Sequence, residues 1–414
     1  MQIELNSCGK KSIVNLPDAW DPTFVYPRNV PALDNPLDEI SSAIQTPFMT
    51  KSLTKLISDA TLQDEHSQDY ICIVISPSIS SKSISLFLQE LNLIFQKVHI
   101  PDSKVKILLA MGTAQKPSPK AIRAFFGMEI LMKYDIFIHQ AQDKVNQQYI
   151  GDTSLGKPIY LNKIYLSAKF KIILDRVNPH PYYNYSGSAP MMLLSIAGST
   201  TVQSTFQKIE LQSKKSSILA DFFQFFKSKP AKPDFTILFA ENSNHTIIKI
   251  KAGAHQVFDQ LKKHVDNSFF GSISKLADVV FCSIEANYDA SLKFCHSHEL
   301  QLIEELGAIL VGGNSALVSG GTLIIISECS LDFSEDNFSS VPWMKPILEQ
   351  VLNRINVVIT NPTPSRVLQN FRKNSVKYLP DIFALSRFCQ KQLSHSSSIL
   401  IFPDILHALP KLKE

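Results

Sequence analysis

The sequence predicts an α/β fold of two domains with mainly parallel sheets and a cleft between them. Three observations lead there. Short apolar runs of strand length alternate along the chain with segments whose apolar residues recur at helical spacing. Several of the runs are continuous rather than alternating, as expected of parallel strands covered on both faces. A length of 414 residues with 44% hydrophobic content supplies more core than one domain usually holds.

The elements follow in order. Residues 71–76 (ICIVIS) are a buried-strand run, and 83–97 (SISLFLQELNLIFQK) have helical spacing. A second strand at 105–111 (VKILLAM) runs into a turn at Gly112, and 118–133 are again helical. Further strands are expected at 136–140, 157–163 and 170–175. The segments 234–240 (DFTILFA) and 246–252 (TIIKIKA) flank ENSNH and predict a β-hairpin. Residues 254–267 (AHQVFDQLKKHVDN) suggest a connecting helix, which divides the chain into domains at 1–262 and 263–414. The second part repeats the style with strands at 277–283, 321–329, 356–360 and 397–403. The stretch 208–233, with its Lys-Pro-Ala-Lys-Pro, is a second linker candidate or a surface loop within the first domain.

Composition narrows the function classes. A net charge of +4 is small for this length, and the lysine pairs are scattered, which argues against a nucleic-acid partner. No window reaches the ~18 to 20 apolar residues of a membrane span. The opening MQIELNSCGKKS lacks the pattern of a signal peptide, so a cytoplasmic location is the expectation. The six cysteines are widely spaced, form no C-x-x-C pair and read as free thiols.

Among motifs, VGGNSALVSGG at 311–321 has glycines but neither a P-loop Lys-Ser/Thr nor G-x-G-x-x-G spacing, and reads as a turn. Cys295-His296-Ser297-His298 offers metal-ligating residue types but no second cluster to complete a tetrahedral site. The segment 176–206 says more. Pro179-His180-Pro181, followed by Ser186-Gly187, reads as a loop that presents a histidine after the strand at 170–175. The end of a strand in an α/β sheet is where such folds bind ligands. A capped histidine with a purely structural hydrogen bond fits this segment equally well.

Several segments carry a resemblance when taken together. LLAMGTAQKPSPKAIRAFFGMEI at 108–130 resembles "ATGTHRP…LG.EI", and IGDTSLGKPIYLNK at 150–163 resembles "lG.T..GtPv.iN". YDIFIHQAQD at 134–143 is similar to "v..HD..d", and 176–206 to "G.i.pH..aGfSGGaK…G...Ti..nH". With 16–48, 239–258, 277–292 and 319–329 in the same order, the chain resembles the nickel-pincer lactate racemase family.

That resemblance implies an isomerase scaffold for a 2-hydroxy acid such as lactate. The family's cofactor is a nickel-pincer nucleotide tethered to a lysine, with one histidine on the metal and two handling protons on opposite faces of the substrate. It assigns His180 as the catalytic residue and Gly112, Thr113, Ser186 and Gly187 as cofactor-binding, with no metal ligand.

The departures are specific. The second catalytic histidine falls on Ala114, or on Gln115 in a slipped register, and the tethering lysine falls on Pro190. The nickel-ligating histidine falls on Phe206, and the second glycine of "SGG" is Ser188. The substrate-clamping arginine segment becomes Ser76-Pro77-Ser78-Ile79-Ser80-Ser81, with Lys82 next to it. Lys82 and Lys116 are the lysines nearest these positions. The expectation is a divergent member without the family's activity, binding a small 2-hydroxy acid or a protein partner. An active 2-hydroxy-acid isomerase with an altered or non-covalently held cofactor is the alternative, and the cofactor of this chain is left unassigned.

Overall fold

The computed structural model describes residues 1–7, 10–62, 67–114, 116–180, 184–187, 189–206, 217–227, 231–242, 244–283, 315–326, 352–360, 376–393, 397–403 and 408–412. The Cys295–His298 cluster lies outside them, as do Gln115, Ser188 and the first part of the 311–321 motif.

The chain opens with a hairpin of β1 (Gln2–Ser7) and β2 (Lys10–Asn15), then a short β3 (Thr23–Phe24). Helices α1 (Pro36–Gln45) and α2 (Leu53–Asp59) begin at Asn35 and Ser52, whose side chains accept from backbone N–H groups in the first turn. Next come β4 (Ile71–Ile75), α3 (Ser81–Lys97), β5 (Val105–Leu109), α4 (Pro119–Lys133) and β6 (Asp135–Ile138). Helix α4 is broken at Gly127, whose φ of 77° departs from the helical backbone. A hairpin of β7 (Gln147–Asp152) and β8 (Pro158–Asn162), then α5 (Lys163–Ser167), leads to β9 (Phe170–Arg176).

After β9 the pieces are short: β10 (Pro179–His180), β11 (Asn184–Tyr185), α6 (Ala189–Leu194), α7 (Ser199–Phe206) and α8 (Ser217–Phe225). The expected hairpin is present as β12 (Phe235–Glu241) and β13 (Ile247–Gly253), and the connecting helix as α9 (Phe258–Phe269). The remainder contains β14 (Phe270–Ile273), β15 (Ala277–Ser283), β16 (Leu317–Ile326), β17 (Asn356–Thr360), β18 (Val376–Leu379), α10 (Ile382–Gln392), β19 (Ile399–Phe402) and β20 (Leu409–Leu412).

Two six-stranded sheets organise these elements. The first has the order β13-β12-β9-β4-β5-β6 and is parallel except for β13. The second, β18-β17-β16-β15-β19-β3, is parallel throughout. The fold is therefore α/β with mainly parallel sheets. The start of the chain accompanies the second sheet: β3 pairs with β19, while the separate β1–β2 hairpin and Trp20 share a cluster, through Ile3, Leu5 and Val14, with Val279, Phe281 and Ile324.

In the first sheet, alternate residues of each strand serve opposite faces. Ile71, Ile73, Ile75, Ile172 and Leu174 face α1 to α4, while Cys72, Val74 and Ile173 share a cluster with α6, α7 and α8. The stretch expected as a linker contains α8. Phe222 and Phe226, one helical turn apart, are buried with their rings in edge contact at 4.2 Å, and Tyr165 Oη donates to Ala231 O at 2.7 Å. No helix among the described residues is long and apolar enough to cross a membrane.

Candidate functional site at the switch point of the first sheet

The order of the first sheet fixes where its crevice lies. From β4 the chain adds β5 and β6 on one side, and then returns to add β9, β12 and β13 on the other. Connections on the two sides therefore diverge between the carboxyl ends of β4 and β9, the position at which open α/β sheets take ligands. Ser76 follows β4, and Asp175 and Arg176 end β9, so these three residues define the floor of the crevice.

Asp175 and Arg176 point to opposite faces of the sheet. The Arg176 side chain is 13% exposed, and its Nη1 donates to Glu241 Oε2 at 2.8 Å. Glu241 is 1% exposed and also accepts from Ser83 Oγ at 2.8 Å. With its amide oriented by hydrogen bonding, Asn178 accepts from Arg176 Nε and Nη2, both at 2.9 Å. The guanidinium is thus bound on both edges by the protein itself. Ser80 completes this side by capping α3, its Oγ accepting from Ser83 N at 3.1 Å.

Asp175 faces the other way and is 4% exposed. It accepts from Ser76 Oγ and from the Arg176 backbone N–H, the latter at 2.7 Å. Ser76 Oγ in turn is 2.8 Å from Ser78 Oγ. Burial pushes the Asp175 carboxyl up to about 7, against the opposing pull of these donors and of the Arg176 charge.

The loops above this floor are held by backbone contacts. Ser186 N donates to Asn178 O at 2.9 Å, and β10 pairs with β11 through Pro179–Tyr185 and His180–Asn184. Gly187 has φ +81°, and a Cβ there would lie 2.8 Å from Val177 Cα and closer still to Arg176 O, so only glycine closes this contact. Tyr185 Oη donates to Asp266 on α9, with Lys262 Nζ 5.2 Å from the Tyr185 ring centre. On the neighbouring strand, Gly112 takes φ +57°, donates its N–H to Ser195 O at 2.9 Å and accepts from Ala141 N at 2.9 Å.

One buried histidine is not at the crevice. His139, 1% exposed, shares Nε2 with Ala197 O at 3.0 Å and accepts at Nδ1 from Asn162 Nδ2 at 3.1 Å. Burial lowers its pKa to about 4, which marks it as a neutral structural ring joining β6 to β8 and the turn after α6.

A sequence profile described as the lactate racemase N-terminal domain matches residues 9–218, half of the chain. The chain belongs to the lactate racemase family. A lactate racemase of Thermoanaerobacterium thermosaccharolyticum is 22% identical over 340 residues, covering 77% of this chain and 72% of that protein. The solved lactate racemase apoprotein of the same organism superposes with a TM-score of 0.77 at 20% identity, over all of both chains. A protein of Thermotoga maritima superposes at 0.60 with 12% identity, covering 91% of this chain and 98% of that one.

Within this lactate-racemase-family fold, the residues singled out in the sequence follow several different elements of the first sheet. Gly112 and Thr113 follow β5, Ser186 and Gly187 lie beneath the histidine loop, and His180 is in β10 with its side chain outside the described residues. Pro190 stands in the first turn of α6 and Phe206 ends α7. Ala114 N donates to Met111 O at 3.0 Å, and Lys82 and Lys116 are exposed. Among the described residues no three His, Cys, Asp or Glu side chains gather as a metal site. Sequence reasoning missed Asp175 and the Arg176–Glu241–Ser83–Asn178 network. The only signal was that Asp175-Arg176 and Glu241 each end an apolar run.

Proposed function

We propose that this chain keeps the lactate racemase scaffold without running the family's reaction, and that it binds a small 2-hydroxy acid or a protein partner at the crevice. The observation that carries the reading is Pro190, at the position where the family resemblance expects the cofactor-tethering lysine. Proline has no side-chain amine, so no covalent link forms there. Phe206 offers no lone pair in place of the nickel-ligating histidine, and Ala114 cannot exchange a proton. The residues present do not fit a lysine-tethered nickel nucleotide.

The electrostatics of the floor agree. The family's bidentate clamp on the substrate carboxylate has no stand-in at the floor, because both edges of Arg176 are taken by Glu241 and Asn178, and a 2-hydroxy acid would be held without it. The architecture around the crevice is read as two domains, 1–262 and 263–414, with the first 25 residues crossing back to the second. The protein is read as cytoplasmic.

The test is to produce the protein alongside the enzymes that build the nickel-pincer cofactor, then measure intact mass, nickel content and interconversion of D- and L-lactate from one preparation. Unmodified mass, no stoichiometric nickel and no interconversion are expected. A nucleotide adduct or stoichiometric nickel with racemisation would overturn the reading in favour of an active isomerase with an altered cofactor attachment.

A further inference from the structure

The outer edge of the first sheet carries a group of cations that neither the crevice nor the scaffold uses. In the ladder of β12 and β13, Leu238 lies opposite Lys251 and Ala240 opposite Lys249. Residues directly opposite one another in an antiparallel pair share a face. Leu238 and Ala240 pack with Leu261 and Val265 of α9, so both lysines are on the face that α9 covers. Each is half-buried. A lysine in that setting lays its stem on apolar surface and carries its charge to the rim.

Helix α9 adds Lys263 and His264, both exposed, between the buried Leu261 and Val265. Its other lysine is committed elsewhere, with Lys262 Nζ 5.2 Å from the Tyr185 ring centre. Some loss of water, and then the charges of Lys249, Lys251 and Lys263, hold the His264 ring below the ordinary histidine value. No acid answers this group. Among the described residues none of Lys249, Lys251 and Lys263 makes an ion pair. Asp266 of α9 accepts from Tyr185 Oη, and Asp259, one turn before Lys263, does not pair with it. Glu241 of β12 is bound to Arg176 and Ser83 on the α3 side. Like charges gathered in this way repel one another, and an anion placed among them removes that cost.

We propose that β13 and α9 form a binding site for a phosphate group, with Lys249, Lys251 and Lys263 supplying charge and the His264 ring a directed donor. Three cations from two elements suit a multivalent oxyanion, whereas a carboxylate carries a single charge and matches only one of them. A net charge of +4 on the whole chain leaves no further track for a nucleic acid. Strands β12 and β9 separate this site from the crevice. It therefore depends neither on the loss of racemase chemistry nor on a ligand bound at the crevice.

The experiment follows the His264 imidazole by NMR in the full chain at constant ionic strength, its resonance assigned with His264→Gln. Sulfate is the first probe, because its charge is constant across the range in which histidine titrates. Saturating sulfate should raise the His264 midpoint by about one pH unit, and by reciprocity sulfate should bind about tenfold more tightly below that midpoint than above it. A midpoint that moves no further than in sodium chloride of equal ionic strength overturns the site. Inorganic phosphate and glycerol 3-phosphate should both displace sulfate. The stronger of the two tells a free ion from a phosphate ester, and failure of both to compete overturns the assignment to phosphate. The double variant Lys249→Gln, Lys251→Gln should raise the His264 midpoint in the absence of anion and weaken sulfate binding at least about tenfold. Unchanged sulfate affinity in that variant would also refute the proposal.

Discussion

His139 offers the sharpest stability measurement on the first sheet, because the protonation linkage has a defined sign and size. Its ring is neutral and enclosed between Ala197 O and Asn162, with the pKa lowered from 6.5 to about 4. The unfolded chain therefore takes up a proton more readily than the folded one. The stability contributed by the neutral ring is complete above about pH 6.5 and is lost as pH falls towards about 4. At about 1.4 kcal/mol per unit, the total is about 3 kcal/mol. Asp175 works in the opposite sense: its folded value is raised from 3.8 to about 7, so it weakens the fold as pH climbs through the same window. Its full cost is about 4 kcal/mol, so the two slopes nearly cancel in the wild type. Replacing His139 with Gln removes one of them. Urea unfolding of wild type and His139→Gln at about pH 7 and about pH 4.5 should show their stability difference shrinking by about 2 to 3 kcal/mol at the acid end. A difference that is the same at both pH values would refute the assignment of His139 as a buried neutral ring.

Other outcomes follow from single contacts. Glu241→Ala should lower stability by about 3 to 5 kcal/mol, since it strands the Arg176 guanidinium, and Arg176→Met with Glu241→Leu should recover most of it; denaturation of the three variants checks this. Gly187→Ala should shift the loop feet and cost more than about 2 kcal/mol, from the positive φ combined with the contact on Val177, whereas Gly156→Ala, with φ +69° and open space around it, should cost less; thermal melting compares them. Phe222→Ala should cost about 3 to 5 kcal/mol, because its ring is fully buried among α8 and the sheet, and limited proteolysis should then cut near α8.

Much of the fold was legible in the sequence because parallel strands advertise themselves as unbroken apolar runs. The runs at 71–76, 105–111, 170–175, 277–283 and 356–360 all form strands. The opening hairpin was less visible. Ile3 and Leu5 do alternate with exposed Gln2, Glu4 and Asn6, yet so short a pattern does not say which sheet it will cover. Its partners Phe281 and Ile324 are more than half of the chain away. Helix α8 was obscured by the polar residues on both sides of SILADFFQF. Around the crevice, the turn at Gly112 could be read from local pattern, and the glycine there takes a positive φ. The Arg176–Glu241 pair could not, because it joins residues 65 apart whose approach depends on β9 and β12 lying side by side.

The crevice floor combines rigid loop geometry with a guanidinium that the protein itself occupies. Gly112 and Gly187 hold positive φ and lock loops at the ends of β5 and β9, a constraint that core packing does not impose. Such geometry positions loops at the switch point. Beneath them, a ligand carboxylate would have to displace Glu241 from Arg176, and Glu241 is itself buried and held by Ser83. Displacement would take the guanidinium from a buried Glu241 and leave it with Ser83 and with His245 at 4.0 Å, a cost of several kcal/mol. That cost is comparable to what a bidentate carboxylate contact could return. A small anion therefore gains little by competing for Arg176.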